Sequence, residues 1–146
     1  MTIAVDFDGT IVEHRYPKIG REIPFAVDTL KMLIADHHKV ILWTVREGAL
    51  LDEAVAWCKE RGIEFYAVNR DYPEETVEGN EHFTRKLKVD LFIDDRNIGG
   101  LPDWGTIYRM VKRGTKWHQL IEEAADSAVY ADRHHKHGAP WWAFWK

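Results

Sequence analysis

The sequence predicts an α/β fold in three layers, a central parallel sheet covered by helices on both faces. Three observations carry this expectation. Short apolar stretches rich in β-branched residues alternate with segments of helical period, and strands alternating with helices imply right-handed crossovers. Two of the stretches are Lys39–Thr44, which reads as a buried strand, and Val89–Ile93, a strand that runs into Asp94-Asp95. Polar, chemically capable residues then stand just after the strands: Asp6 and Asp8, Thr44, and Asp94 with Asp95. In Rossmann-like sheets of this kind, ligands bind beyond the carboxyl ends of the strands.

The elements follow in order. Thr2–Phe7 is apolar and stops at Asp-Gly, so it reads as the first strand. Thr10–Ile23 has no helical period and contains Pro17 and Gly20, which marks an irregular excursion. Pro24–His37 is expected to be a helix, with Pro24 as its first residue and Val27, Leu30, Leu33 and Ile34 on one face. Lys39–Thr44 is the second strand. Gly48–Arg61 is a helix with Leu51, Ala54, Val55 and Cys58 on one face, stopped by Gly62. Glu64–Val68 is the third strand, Asn69–Asn80 a polar loop and Val89–Ile93 the fourth strand. Asn97–Asp103 is a turn, and Trp104–Arg113 and Lys116–Asp132 are helices. One core domain is expected over residues 1–133. A polar hinge and an aromatic tail follow over residues 134–146.

Composition narrows the function classes. At 146 residues the chain is long enough for a core without disulfides or a structural metal. A formal charge of −4 argues against nucleic-acid binding by bulk positive charge. The single cysteine, Cys58, excludes an intrachain disulfide and fits a reducing compartment. No apolar run approaches the ~20 residues of a membrane span. Met1–Asp8 meets two carboxylates without an early Lys or Arg, unlike a signal peptide, so a cytoplasmic location is expected.

Carboxylates converging at one sheet edge repel unless a cation lies between them. Oxygen-rich sites with few protein ligands suit Mg²⁺, which completes its shell with water and substrate phosphate. Asp6, Asp94 and Asp95 are therefore candidate Mg²⁺ ligands. A nearby Thr and Lys would suit a phosphate.

These residues carry a resemblance. Asp6-Phe7-Asp8-Gly9-Thr10 with Ile11 resembles the first signature of the haloacid dehalogenase (HAD) superfamily of phosphohydrolases. Leu42-Trp43-Thr44 resembles the second, Lys86 ahead of Asp90 the third, and Phe92-Ile93-Asp94-Asp95 the fourth. The motifs span Thr2 to about Gly100 in the superfamily's order. The resemblance implies a Mg²⁺-dependent phosphomonoester hydrolase. Asp6 would be the nucleophile that forms an aspartyl-phosphate, and Asp8 the general acid and base. Thr44 would donate to the phosphoryl group, with backbone N–H groups of Phe7, Asp8 and Val45. Lys86, or Lys88 in its place, would neutralise charge. Asp6, the Asp8 carbonyl and Asp94 would hold Mg²⁺, with Asp95 direct or through water. An acid at position 8 favours monoester hydrolysis over dehalogenase or ion-pump chemistry.

The resemblance also raises the matter of a cap domain. Thr10–Ile23 is too short for one, and the stretch from Thr44 to Lys86 is filled by a helix, a strand and a loop, so a small capless member is expected. His14, Arg15 and Tyr16, and the Asn69–Asn80 loop, are the expected substrate walls. His14 either touches substrate or is a solvated loop residue. Arg46 either grips a second anionic group or is a surface charge. Arg96 and Asn97 are expected to form the turn after Asp95. Cys58 is expected in the core, and His134, His135 and His137 in a flexible hinge rather than a metal site. The tail around Trp141, Trp142 and Trp145 is too apolar to lie free in water. It would pack on its own domain, on a neighbouring subunit in a homo-oligomer, or, third, at a membrane interface. The substrate would be a small-molecule or polymer-end phosphomonoester. The alternatives are a phosphotransferase or phosphomutase of the same superfamily, and a non-catalytic phosphate-binding module.

Overall fold

The structure is a computed structural model that describes residues 1–76, 78 and 84–135, with the last seven of these described by backbone alone. Its elements alternate as β1 (Thr2–Val5), α1 (Ala26–Ala35), β2 (Lys39–Leu42), α2 (Gly48–Glu60), β3 (Ala67–Val68), β4 (Leu91–Ile93), α3 (Trp104–Arg113) and α4 (Trp117–His135). The four strands form one all-parallel sheet in the order β3-β2-β1-β4, flanked by helices as the alternation requires. Ile3, Ala4 and Val5, and Val40, Ile41 and Leu42, are all buried, so both faces of the central strands are covered. That is why these strands read as unbroken apolar runs rather than as alternating ones. On the face of Ala4 and Ile41, the buried Ala67 and Leu87 complete a cluster against which Trp43, Tyr66, Val89 and Phe92 pack.

The order of the strands fixes where a site can lie. The chain moves from β1 to β2 to β3 in one direction, then returns to place β4 on the other side of β1. The reversal therefore falls between β1 and β4, where Val5 pairs with Ile93 and the Asp6 N–H donates to the Ile93 carbonyl at 3.0 Å. The next residues along both strands are Asp6 and Asp94, at the switch point where open α/β sheets bind ligands.

Several boundaries move from the expected ones. The first strand ends at Val5 because Phe7 already turns: its carbonyl accepts from Ile11 at 3.0 Å. Helix α1 begins at Ala26, not Pro24, because Phe25 takes a left-handed conformation (φ 66°) ahead of it. Glu22 substitutes for a cap there, its carboxylate accepting from the Val27 N–H at 3.2 Å. The third strand shrinks to Ala67–Val68 at the sheet edge, where only β2 is available to pair with it. Gly62 does stop α2: with φ 81° it lets its own N–H reach Lys59 and that of Ile63 reach Cys58. The excursion after β1 is a loop tied by a bond from the Glu13 N–H to Arg21 and one from Ile23 to Ile11. Among the described residues, neither it nor the stretch from Thr44 to Lys86 holds a further domain.

The chain divides into two compact units, Met1–Tyr108 and Arg109–Lys146. In the first, Trp104 is fully buried and its indole N–H donates to the Thr10 carbonyl at 3.1 Å, so the start of α3 braces the loop after β1. In the second, the chain turns at Gly114 (φ 66°) between α3 and α4. Helix α4 continues through His134 and His135, the first two residues of the expected hinge. The rest of that hinge and the aromatic tail lie outside the described residues. Among the described residues no helix is long and apolar enough to cross a membrane.

Candidate active site

Beyond the carboxyl ends of β1, β2 and β4 lies a cavity of about 360 Å³ lined by Asp6, Asp8, His14, Tyr16, Trp43, Thr44, Val45, Asp94 and Arg96. Its acidic floor is built by the switch point. Asp6, Asp94 and Asp95 each present a carboxylate oxygen, all within 4.8 Å of one another. Three like charges so close are unfavourable. The Asp6 carboxyl is pushed up from 3.8 to about 7, first by burial and further by Asp94 and Asp95, against the opposing pull of the Phe7 N–H and Thr10.

Two residues hold this floor together. Thr10 is fully buried, and its hydroxyl lies 3.3 Å from Asp6 Oδ2 and 3.4 Å from Asp95 Oδ1. A hydroxyl carries one proton, so it donates to one of these oxygens at a time. The Thr10 oxygen also accepts from the Asp95 N–H at 3.1 Å. Gly9 has φ +88°, and a Cβ there would lie 2.4 Å from Asp95 Oδ2. Only glycine lets the backbone pass so close to that carboxylate. Asp94 is braced by the Arg96 N–H, which donates to its Oδ1 at 2.8 Å.

The donor set fits a small divalent cation. It consists of carboxylate oxygens from two adjacent strand ends, partly buried, with no cation paired to Asp6, Asp94 or Asp95 among the described ion pairs. Hard oxygen ligands of this kind could hold an oxygen-preferring metal ion. A cation there would offset the repulsion from Asp94 and Asp95, which adds to burial in raising the Asp6 carboxyl.

Across the cavity from this floor, Thr44 is held by its neighbours. Its N–H donates to Asn69 Oδ1 at 2.8 Å, and its hydroxyl accepts from the Arg46 N–H at 3.2 Å. With its own hydrogen left to donate, that hydroxyl suits an anionic oxygen. Val45 is 79% exposed at the rim, and the exposed His14 and Tyr16 of the excursion line the cavity as expected, whereas Arg15 and the described residues of the Asn69–Asn80 loop, the other expected wall, do not.

Arg46 overturns both readings made of it. Its side chain is fully buried, so it is not a surface charge, and it does not line the cavity. Its Nε and Nη2 grip Asp8 at 2.6 and 2.7 Å. That pairing holds the Arg46 guanidinium even more firmly protonated than usual. A guanidinium already engaged in this way does not reach for a second anion on a substrate.

The structure does not bring Lys86 to the cavity. Lys86 is exposed and its Nζ lies 6.0 Å from the centre of the Phe92 ring. Lys88 is also exposed, with its backbone N–H on Asp71 Oδ1 at 2.6 Å. Among the described residues, the arginine lining the cavity is Arg96, placed two residues past Asp94. The sequence reading assigned Arg96 to a turn and so missed it as a cavity residue; its spacing from Asp94 was the available signal. Thr10 was quoted in a motif but given no role. Cys58 is buried as expected, its thiol pushed up to about 12 by burial.

No protein-family model and no curated protein matches the chain. A solved structure does: the conserved protein of Bacteroides thetaiotaomicron is 66% identical, with a TM-score of 0.77 over 82% of this chain and 96% of that one. At that identity and coverage, the chain belongs to the same family as this conserved Bacteroides protein.

Proposed function

We propose that the chain is a cytoplasmic, Mg²⁺-dependent phosphomonoester hydrolase of the haloacid dehalogenase superfamily, acting through an aspartyl-phosphate on Asp6. The observation that carries this reading is the convergence of Asp6, Asp94 and Asp95 at the switch point, within 4.8 Å of one another, on the floor of a cavity also lined by Asp8 and Thr44. Asp6, Asp94, Asp95 and the Asp8 carbonyl would hold the metal. When bound, Mg²⁺ supplies charge neutralisation for a carboxylate and a phosphate that would otherwise repel.

The chain's own groups do the rest. An Asp6 oxygen attacks phosphorus as the bond to the leaving oxygen breaks, and Asp8 gives that oxygen its proton. Water then attacks phosphorus, the bond to Asp6 breaks, and Asp8 takes the proton back. Asp6 is thus restored and inorganic phosphate leaves. Thr44 donates to a phosphoryl oxygen throughout, and Arg96 brings positive charge to the cavity, a role that the superfamily resemblance gives to Lys86. The cavity opens past Val45 and Tyr16, which suits a phosphate carried on a larger molecule.

The test is phosphate release from a panel of sugar phosphates, nucleotides and an aryl phosphate, with metal-stripped protein and Mg²⁺ added back. Turnover that needs Mg²⁺ and vanishes in Asp6→Asn is expected. Full activity in chelator, or in Asp6→Asn, would overturn the reading.

A further inference from the structure

Two residues after Thr44 the chain buries a charge, which is costly unless something compensates. Arg46 is compensated on every side. Nε and Nη2 form a bidentate pair with Asp8, Nη1 donates to the Pro17 carbonyl at 3.0 Å, and Nη2 also donates to the Lys18 carbonyl at 3.0 Å. The guanidinium carbon lies 5.2 Å from the Phe7 ring and 5.3 Å from the Tyr16 ring, so aromatic faces hold the plane as well.

We propose that Arg46 is a positioning residue: it fixes the Asp8 carboxylate and ties it to the wall that carries His14 and Tyr16. This rests on the reading of Asp8 as acid and base. A buried ion pair is seldom the most stable choice for its volume, since apolar residues there are often as good or better. Its value lies in orientation. A bidentate fork fixes both oxygens of Asp8, so the carboxylate cannot rotate, and the lone pairs outside the fork keep one direction. Asp8 lines the cavity although it is only 6% exposed, so those few accessible positions are the useful ones. The same guanidinium reaches Pro17 and Lys18, directly after the cavity-lining Tyr16. One side chain thereby sets the distance between the proton donor and the wall that would meet the leaving group. Lysine cannot replace it, because a single ammonium has no planar fork.

The experiment uses the full chain with Mg²⁺, and p-nitrophenyl phosphate and glycerol phosphate as an aryl and an alkyl ester. Arg46→Lys is expected to lower kcat on the alkyl ester at least about tenfold more than on the aryl ester, with a smaller change in KM, because a good leaving group needs little protonation. Asp8→Asn should show the same asymmetry. The double variant Asp8→Asn with Arg46→Met removes both buried charges together, so it remains testable where a lone Arg46→Met would not fold. It should be no slower than Asp8→Asn alone. Trypsin should cut Arg46→Lys at Arg15 and Lys18 several-fold faster than the unaltered chain, at a temperature where both are folded. Equal losses on the two esters, or losses that multiply in the double variant, would overturn the positioning role. Unchanged cleavage at Arg15 and Lys18 would overturn the tie to the wall. Should the unaltered chain hydrolyse neither ester, the phosphatase reading falls and takes the acid's role with it, while the trypsin result still decides the tie.

Discussion

Asp6 and Asp8 stand two residues apart on one loop and meet opposite electrostatic surroundings. Asp6 shares its space with two more carboxylates and is pushed up to about 7. Asp8 is more deeply buried, yet it has a guanidinium of its own at 2.6 and 2.7 Å. Burial raises the Asp6 carboxyl most, yet Asp8 is buried more deeply and has a charge partner that Asp6 lacks, so it is the partner that distinguishes the two. The uncompensated cluster invites a cation, whereas the pair with Arg46 holds the Asp8 carboxyl group in one orientation. The backbone makes the division possible. Asp6 continues β1 toward β4, while the turn at Phe7 swings Asp8 toward the chain leaving β2.

The largest effect expected from breaking this comparison is on turnover. Asp6→Asn should lower kcat on the order of 10³-fold or more, because the amide lacks the oxygen that attacks. The fold should survive, since the carboxylate belongs to the repelling cluster and not to an ion pair. Phosphate release and circular dichroism on the same preparation check both halves. Residual activity above about a hundredth of the original would remove Asp6 as nucleophile.

Asp8→Asn should do the reverse to stability. It leaves a fully buried guanidinium facing an amide, and breaking a buried pair costs about 3–5 kcal/mol. For a chain of this length that is roughly 10 °C in Tm. Thermal melts of the two Asn variants in chelator should therefore move in opposite directions, Asp8→Asn down and Asp6→Asn up. A shift of the same sign in both would mean that the two carboxylates do not differ as the geometry says.

How much of this the sequence disclosed follows from the range of each interaction. The strands β1, β2 and β4 were legible because they are short apolar runs, and Asp6 and Asp94 because each directly follows such a run. Helix α3 has its expected bounds. The start of the third strand was not legible, because an edge strand pairs only as far as its neighbour allows. Arg46 was misread for the same kind of reason. Its partner Asp8 is 38 residues away, its carbonyl acceptors 28 and 29, and no local pattern announces a buried arginine. Lys86 matched a motif by spacing, but its side chain lies over Phe92.

A smaller effect belongs to Thr10, which reaches the cluster but carries no charge. Thr10→Val keeps the shape and removes the acceptor for the Asp95 N–H and the donor shared by Asp6 and Asp95. A lost buried hydrogen bond costs about 1–3 kcal/mol. Ligand-holding partners of this kind usually cost about 10–100-fold in metal affinity when removed. Mg²⁺ titration of activity should show the half-saturating concentration rising by about tenfold, with kcat at saturation changed less. An unchanged midpoint would leave Thr10 a packing residue only.

The smallest effect is the dependence of metal-free stability on pH, and it isolates the cluster from the pair. The Asp6 carboxyl is raised from 3.8 to about 7 in the folded chain. Between those values the folded chain holds a proton that the unfolded chain has released, so the folded state binds more protons. Stability from this group is therefore full below about pH 4, falls as pH rises, and levels off above about 7. Asp6→Asn has no such proton to lose. In chelator, the Tm of Asp6→Asn minus that of the unaltered chain should be near zero at low pH and grow to a few degrees by pH 8. The Asp8–Arg46 pair, present in both proteins, cancels from the difference. Adding Mg²⁺ at pH 8 should raise the unaltered chain more than the variant, since a cation that binds the folded carboxylates stabilises in proportion to its affinity. A gap that stays constant from pH 4 to 8 would show that neither burial nor Asp94 and Asp95 raise the Asp6 carboxyl in solution. The cluster would then differ from the pair only in lacking an arginine, and not in needing a cation.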